Sequence, residues 1–304
     1  MSDRRGVLPV LADAEWTLVG PVVTWYAGNA RDLPWRRPGA GAWAILVSEY
    51  MLQQTPVARV LPVYESWMAR WPTPAALAAE APGAAVRAWG RLGYPRRALR
   101  LHAAATDVVA VHGGSVPEDY DDLRKLPGVG DYTAAAVASF GFGRRHSVLD
   151  TNARRVLARA VAGREFPAPG SATIAERRLA DAILPADPAL AGRWAVASME
   201  LGALVCRSRA PRCGACPVVR VCAWRRAGKP AGDAVRRGQD YAGTDRQARG
   251  ALLAALRESA GDLTAAELES AWPSALAQRS RALASLVADG LVQPLPGGMY
   301  RLPG

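Results

Sequence analysis

The sequence predicts a mostly helical protein that ends in a small module of three helices and a β-hairpin. Apolar residues recur at helical spacing through residues 1–228, and we find no alternating strand pattern there. Proline and glycine punctuate these helical segments. A hairpin pattern occurs only at the end of the chain, where it turns at Pro296-Gly297-Gly298. We therefore expect an all-α body and a small α+β module behind it.

The composition favours a basic, soluble protein that binds a polyanion. The chain has 304 residues, of which 50% are hydrophobic, so it can bury a sizeable core. Its formal net charge of +11 favours nucleic acid as a partner, although a merely basic soluble protein would look the same. The N-terminus lacks the apolar core of a signal peptide, and no apolar run approaches membrane-spanning length. We expect a cytoplasmic, nucleoid-associated monomer without a membrane partner.

The helices of the body are predicted from apolar periodicity between breaker residues. In chain order they cover residues 12–27, 43–55, 62–71, 73–79, 83–89, 99–111, 117–126, 131–140, 152–159, 171–184 and 192–205.

The helix at 43–55, WAILVSEYMLQQT, is apolar on nearly every side, which predicts a buried central helix. Glu49 interrupts it. Most lone carboxylates in helices are solvated, but a buried one has a raised pKa and can act as a general acid. Gln54 near the end of this segment either helps to end the helix or probes base edges.

A glycine turn lies between the helices at 117–126 and 131–140. Its sequence is Leu-Pro-Gly-Val-Gly, with glycine at Gly128 and Gly130. Unpaired amide groups at the start of the second helix suit a phosphate, whereas the alternative is an ordinary helix–helix turn. Asp150 follows, just before an arginine-bearing helix.

The segment with Trp35 and Arg36 and the residue Glu200 have two interpretations each. Trp35 and Arg36 lie in a segment expected to be extended; they form either a loop with a buried tryptophan or the lining of a base pocket. Glu200 lies in a mostly apolar helix face, where pairing with one of the many arginines is the alternative to a functional role.

All four cysteines of the chain lie in one short loop, as Cys206, Cys213, Cys216 and Cys222. Two disulfides are conceivable, but a cytoplasmic chain argues against them. Four thiolates at the spacing C-x6-C-x2-C-x5-C suit a metal or an iron–sulfur cluster.

The C-terminal part begins after a basic linker at residues 229–246. Helices are predicted at 247–259, 264–271 and 275–288, and the second of them carries a capping box at Thr264 and Glu267. With the hairpin, residues 247–304 form a winged-helix-like module. Such modules bind DNA or serve as packing or protein-contact units, and the sequence favours neither interpretation.

These motifs resemble the helix-hairpin-helix DNA glycosylase superfamily of endonuclease III, and in particular its MutY-type adenine glycosylase branch. The resemblance runs from about Leu18 to Trp224 and rests on LPWR, SEYMLQQT, LPGVG, LDTNARRVLAR, MELGALVC and the cysteine spacing. It implies a catalytic domain over residues 1–228, one [4Fe-4S] cluster on the four cysteines, and double-stranded DNA containing adenine mispairs as the partner.

The resemblance also implies roles for single residues. Glu49 would be the catalytic acid and Asp150 the catalytic aspartate, although Thr151 stands where many members have glycine. The remaining roles are the adenine pocket (Trp35, Arg36, Glu200), the wedge in the duplex (Gln54, Leu92, Tyr94) and the backbone grip (Gly128, Gly130).

Two departures refine the expected function. Tyr132 occupies the position of the lysine with which endonuclease III-like lyases attack the sugar, so we expect a monofunctional glycosylase. Residues 243–304 are too short and too helical for the Nudix-like domain that commonly reads 8-oxoguanine in adenine glycosylases. Either the catalytic domain and tail read the opposite base, or selectivity is weaker. The alternatives are a glycosylase or lyase for another damaged base and a non-catalytic DNA-binding protein.

Overall fold

The computed structural model describes residues 15–232, 241–273 and 275–304. The start of the helix predicted at 12–27 and residues 233–240 of the predicted linker lie outside the described residues. A π-helical turn, Glu15–Val19, leads into the first α-helix.

The α-helices of the described residues follow one another with short connections. In chain order they are α1 (Gly20–Asn29), α2 (Ala42–Leu52), α3 (Val57–Arg70), α4 (Pro74–Ala78), α5 (Pro82–Ala88), α6 (Arg96–His112), α7 (Tyr120–Lys125), α8 (Asp131–Phe142), α9 (Thr151–Ala160), α10 (Ile174–Ile183), α11 (Pro188–Leu204), α12 (Ala223–Arg226), α13 (Asp245–Glu258), α14 (Ala265–Ala271) and α15 (Leu276–Ala288).

The predicted mostly helical architecture is confirmed; most differences lie at helix ends, and the short helix α12 was not predicted. Helix α7 begins three residues later than predicted, because Asp119 caps it through its side chain. Helix α11 begins earlier, at Pro188, after the N-cap Asp187. The segment around Trp35 is not extended as expected but forms a 3-10 turn, Pro34–Arg36.

The chain divides into two compact units that alternate along the sequence. Of the described residues, the first unit comprises 15–33 and 130–232, and the second comprises 34–129, 241–273 and 275–304. The core of the first unit is built where α1, α9, α10 and α11 meet, around residues such as Val22, Leu157 and Leu201. The predicted boundaries at 228 and 246 stay a prediction.

The core of the second unit is rich in tryptophan. Trp67, on α3, lies edge-on to Trp71 and Trp89, with ring centroids 4.6 Å and 5.7 Å apart. All three rings are buried. Such edge-to-face pairs are favourable because the electron-poor ring edge meets the electron-rich face. This cluster supports α2 and the segment that follows α5.

The C-terminal module contains the predicted helices and hairpin and one strand that was not predicted. Strands β1 (Leu263–Thr264), β2 (Gln293–Leu295) and β3 (Met299–Arg301) form an antiparallel sheet in the order β1-β3-β2. Leu263 pairs with Tyr300, and Pro294 pairs with the same residue from the other side. Strand β1 has two residues, too few for an alternating pattern to reveal it. The predicted capping box is present at the start of α14.

None of the helices in the described ranges is both long and apolar enough to cross a membrane.

Candidate active site

Glu49 lies on α2, in the second unit. This helix is buried, as its sequence predicted. Eight of the 11 residues of α2 are buried, and Glu49, one of these eight, is 5% exposed. The Glu49 side chain is therefore largely withdrawn from bulk water.

The residue after Glu49 joins this helix to the glycine turn. The hydroxyl group of the buried Tyr50 donates a hydrogen bond to the carbonyl of Pro127. Gly128 has φ +84°, and a Cβ there would lie 3.0 Å from Arg100 and 3.1 Å from the Tyr50 ring. Gly128 is thus required both by its backbone angle and by close packing, within one unit.

The second half of the turn opens α8 in the first unit. Gly130 is the N-cap residue, has φ −105° and faces open space, so its backbone does not itself require glycine. Asp131 is held by Arg177, whose Nη1 lies 2.5 Å from Oδ2. This pairing neutralises a carboxylate that would otherwise repel an anion at the helix start. Tyr132 is the second residue of α8 and is half-buried.

Asp150 is fixed in the first unit as the N-cap residue of α9. Its Oδ1 accepts a hydrogen bond from the Ala153 amide at 2.6 Å, and its Oδ2 accepts one from Asn152 Nδ2 at 2.7 Å. Both carboxylate oxygens are therefore oriented, and the helix start adds a favourable dipole for a negative charge. The expected position of Asp150 at a helix start is confirmed.

The carboxylate of Asp150 is connected through two side chains to the cysteine loop. Asn152 Oδ1 accepts a hydrogen bond from Arg155 Nη2 at 2.7 Å. Arg155 Nε donates to the carbonyl of Cys206, also at 2.7 Å. Gly202 allows α11 to approach, since a Cβ there would lie 2.6 Å from Asn152 Cβ. The orientation of Asp150 thus depends on the packing of α11 and on the start of the cysteine loop.

Burial raises the pKa of Asp150 above its ordinary value, against the opposing effect of hydrogen bonds from Ala153 and Asn152 and of the Arg155 charge. The carboxylate accordingly gains its proton at a higher pH than an exposed aspartate would.

The predicted base-pocket residues divide between the units. In the second unit Trp35 is 7% exposed and lies edge-on to Tyr64 with centroids 4.9 Å apart, so the buried-tryptophan alternative describes this conformation. Arg36, next to it, is half-buried. In the first unit Glu200 is fully buried and forms a bidentate pair with Arg31, with N–O distances of 2.7 Å and 2.8 Å. Arg31 was not identified from the sequence.

The predicted wedge residues of the second unit differ in exposure. Tyr94 is 56% exposed and Gln54 is also exposed, whereas Leu92 is buried and belongs to the core in this conformation. Gln54 has φ +56° and Tyr94 has φ +47°. Left-handed backbone costs a residue with a side chain about 1–2 kcal/mol, so the surrounding structure must hold both in place.

Arg97 is one of the residues that hold them. Its guanidinium group is buried and donates to the carbonyls of Tyr50 and Met51 at the end of α2, to that of Gln53, to the Thr55 hydroxyl and to the carbonyl of Gly93. One side chain thus orders the C-terminal end of α2 and the backbone beside both exposed wedge residues. Burial lowers the pKa of Arg97 to about 10, so the group stays charged at neutral pH.

The four cysteines line one pocket of the first unit, together with Arg159 and Trp224. In the described part of the chain, no three Cys, His, Asp or Glu side chains converge closely enough to hold a single metal ion. The thiols therefore surround a space rather than meet at a point. Burial raises the pKa of Cys216 to about 11, and the neighbouring cysteines act in the same direction. A cation among them would reverse this effect.

Arg159 braces the cysteine loop from α9. Its side chain is 1% exposed and donates to the carbonyls of Glu165 and Arg207 at 2.9 Å and 2.7 Å. The same group lies 4.8 Å from the Trp224 ring centroid and 3.5 Å from Cys206 Sγ. The cysteine loop is therefore ordered by direct contacts with Arg159 of α9, the helix that Asp150 caps.

Comparison with known proteins agrees with this geometry. Residues 47–179 match the HhH-GPD superfamily of base excision DNA repair proteins. An adenine DNA glycosylase of Mycolicibacterium smegmatis is 51% identical over 94% of this chain and 97% of its own length. This chain belongs to the adenine DNA glycosylase family. A Mycobacterium tuberculosis adenine DNA glycosylase is 53% identical over 93% of this chain and 92% of its own length. Matches of this extent reach into the C-terminal module. The human adenine DNA glycosylase is 42% identical over 67% of this chain but 38% of its own length.

Solved structures show the same fold at low sequence identity. A thermostable thymine-DNA glycosylase superposes with a TM-score of 0.63 at 24% identity, over 72% of this chain and 99% of that one. An endonuclease III trapped as a covalent intermediate with DNA gives 0.61 at 19% identity, over 72% and 99%. These structures confirm the expected helix-hairpin-helix architecture.

The side chains that orient the predicted site residues were not predicted from the sequence. Asn152, Arg155 and Arg159 recur at intervals of three and four residues, which places them along one side of a helix. That spacing in a helix behind Asp150 was a usable signal. Arg31 and Arg97 gave none, because their partners lie far away in sequence or are backbone carbonyls.

Proposed function

We propose that this protein is a DNA repair enzyme that removes adenine mispaired with 8-oxoguanine or guanine by hydrolysing the N-glycosidic bond. Similarity to adenine DNA glycosylases over nearly the whole chain carries the proposal. The burial of Glu49 and the fixed carboxylate of Asp150 supply the chemistry that such an enzyme needs. A DNA substrate implies work on the nucleoid, in the cytoplasm.

In this proposal Glu49 is the general acid. Adenine is a poor leaving group as an anion, and protonation of a ring nitrogen makes the departing base neutral. As the bond to C1′ breaks, its electron pair goes to the base and the proton comes from Glu49. Water then adds to C1′, and its proton returns to the Glu49 carboxylate. Burial in α2 supports this role because it keeps bulk water away from the acid and leaves the proton for the base.

Asp150 acts in its ionised form. The sugar becomes positively charged as the base leaves, and a fixed carboxylate stabilises that charge or captures the sugar transiently. Hydrogen bonds from Ala153 and Asn152 support this role because they orient the carboxylate before the reaction begins. The proposal therefore assigns opposite protonation states to two buried carboxyl groups, with the hydrogen bonds from Ala153 and Asn152 favouring the carboxylate of Asp150 against the effect of its burial.

The remaining predicted residues would bind DNA. The turn with Gly128 and Gly130 would grip the phosphate backbone, and the exposed Gln54 and Tyr94 would enter the duplex beside the extruded adenine. By the family resemblance, Trp35 and Arg36 of the second unit and Glu200 of the first would each contact the adenine, with Glu200 held by Arg31. Leu92 would join the wedge only after leaving its buried position.

A non-catalytic DNA-binding protein is the second candidate. It would use the same turn and the net charge of +11, but nothing in binding requires a buried glutamate in an otherwise apolar helix.

Single-turnover cleavage tests the proposal directly. Duplexes would carry adenine opposite 8-oxoguanine, guanine or thymine, each assayed with and without alkali. We expect strand breaks only after alkali, and only at 8-oxoguanine and guanine pairs, because Tyr132 provides no amine for strand cleavage. Breaks without alkali would refute the monofunctional assignment. Failure to release adenine from any duplex would refute the substrate.

We further propose that the four cysteines hold one [4Fe-4S] cluster. Four thiols that surround a shared pocket fit a group with several metal atoms, and thiolates are the ligands that iron–sulfur clusters use. Bound there, the cluster would cross-link the loop between α11 and α12. The proposed reaction gives it no chemical step.

Metal analysis of the purified protein tests this cofactor. We expect iron and acid-labile sulfide in equal amounts and a visible absorption band. Cys213→Ser should lose most of both, whereas Arg209→Lys in the same exposed loop should retain them. Stoichiometric zinc without iron, or full iron retention by Cys213→Ser, would contradict the cluster.

A further inference from the structure

The C-terminal module holds the loop that carries Tyr94 at both of its ends. At the start of the loop, Arg257 of α13 donates from Nη1 to the carbonyl of Gly90 at 2.6 Å. At its end, Arg96 donates to Asp289, which follows α15, at 3.1 Å. All of these residues belong to the second unit. Residues 90–96, here named the wedge loop, are thus bound from the C-terminal module.

Further contacts make this attachment stiff. Arg257 Nε also donates to the carbonyl of Val86 at 2.9 Å, and Arg87 returns a hydrogen bond to the carbonyl of Ser259 at 2.7 Å. The amide of Gly83 donates to the carbonyl of Pro303 at 2.7 Å, close to the end of the chain. Helix α5 and the wedge loop are therefore fixed against two separate parts of the module.

The wedge loop needs such support because its backbone is unfavourable. Gly90, Gly93 and Tyr94 all have positive φ, and Tyr94 pays the steric cost that glycine avoids. More than half of the Tyr94 side chain is exposed, so its own packing contributes little to holding it. A loop of this kind stays in one conformation when the surrounding structure determines it.

The third helix of the module, α15, is poorly suited to bind the major groove of DNA. The two basic side chains of α15 are both in ion pairs within the module, Arg279 with Glu269 at 2.5 Å and Arg281 with Asp245 at 3.4 Å. Arg279 is also largely buried. Of the two roles that the sequence left open, packing is the one that these contacts favour.

We infer that the C-terminal module is a positioning element, in which Arg257 and Asp289 clamp the wedge loop and so set the Tyr94 side chain for recognition of the mispair. The role of the clamp in mispair recognition rests on the proposed function. The clamp itself is a property of the free protein. Asp289 is the decisive residue because it binds Arg96 of the loop and Arg249 of α13 together.

Asp289→Asn tests the clamp, with Glu269→Gln as the matched control. Both changes remove one carboxylate from an arginine partner in the module, but Glu269 pairs with Arg279 and not with the wedge loop. Hydrogen exchange of the free protein is measured first. We expect faster exchange in peptides covering residues 90–96 for Asp289→Asn and not for Glu269→Gln. Equal exchange in wild type and Asp289→Asn would overturn the clamp.

Binding to duplexes with adenine opposite 8-oxoguanine and to undamaged duplexes is measured next. A simple charge effect predicts tighter binding of Asp289→Asn to every duplex, because an acidic group near DNA has been removed. The clamp instead predicts that the ratio of the two affinities falls about two- to fivefold, the amount that one or two ion pairs contribute. An unchanged ratio despite faster exchange would overturn the role in recognition.

The two failures can be told apart. If the wild type releases no adenine while exchange still responds to Asp289→Asn, the proposed function fails and the clamp stands. If the wild type is active but exchange does not respond, the clamp alone fails.

Discussion

Replacing Glu49 by glutamine should lower the single-turnover rate of adenine release by about 10²–10⁴-fold, the usual contribution of general acid catalysis. Glutamine has nearly the same shape as a protonated glutamate, so the buried site on α2 should remain packed. It cannot transfer a proton to the base. The expected result is therefore a folded protein that binds mispaired duplexes with unchanged affinity and releases adenine very slowly.

Glu65→Gln is the control for this experiment. Glu65 lies on the neighbouring helix α3 but is exposed, so the same chemical change should leave the rate within a factor of about two. If Glu49→Gln retained the wild-type rate, Glu49 would not be the acid. If the rate fell together with duplex affinity and thermal stability, the residue would support the fold and not the reaction.

The sequence was sufficient to predict those parts of the site that depend on local physics. Helix α2 is buried because its apolar residues cover almost every side, and this pattern is visible without a structure. The position of Asp150 at a helix start follows from its short polar side chain before a helical segment. The turn at Gly128 was also predicted, since proline and glycine punctuate it. In each case the residues that determine the outcome are neighbours in sequence.

The orienting side chains could not be predicted because their partners are distant or belong to the backbone. Arg97 binds carbonyls more than 40 residues earlier in the chain, and a carbonyl has no sequence signature. Glu200 and Arg31 are separated by 169 residues. The burial of Leu92 depends on tertiary packing in the same way.

The two proposed catalytic residues therefore differ in how their surroundings are maintained. Glu49 lies on a helix whose burial is encoded by local sequence. Asp150 depends on Asn152, Arg155 and the approach of α11 at Gly202, which links it to the start of the cysteine loop. Substitutions in that loop should consequently act on Asp150 before they act on Glu49.

Asp150→Asn should lower the rate of adenine release by about 10²–10³-fold, the scale on which one fixed electrostatic group stabilises a transition state. Asparagine is as good an N-cap as aspartate, so α9 should keep its start. The substitution removes the negative charge that the sugar cation needs. It also turns one amide group toward Asn152 Nδ2, where two donors would face each other unless Asn152 gave up its bond to Arg155.

The rate of adenine release should fall at low pH, where Asp150 gains a proton. Asp150 acts as a carboxylate, and burial raises its pKa above the ordinary 3.8. As the pH falls, the wild-type rate should therefore decline at higher pH than an exposed aspartate would allow, and should be retained above that pKa. Because Asp150→Asn has no group to protonate there, its residual rate should lack this decline. A pH–rate profile of both proteins under single-turnover conditions measures the difference.

Asp187→Asn separates the loss of charge from the loss of a cap. Asp187 is the N-cap residue of α11, where it accepts a hydrogen bond from the Leu190 amide at 2.7 Å, and it is exposed. The same substitution there should change neither the rate nor the pH profile, and Asp187→Asn should keep wild-type thermal stability to within about 1 kcal/mol. A decline at low pH that persists in Asp150→Asn would assign that titration to another group. A full rate in Asp150→Asn would show that the fixed carboxylate is not needed when the base departs.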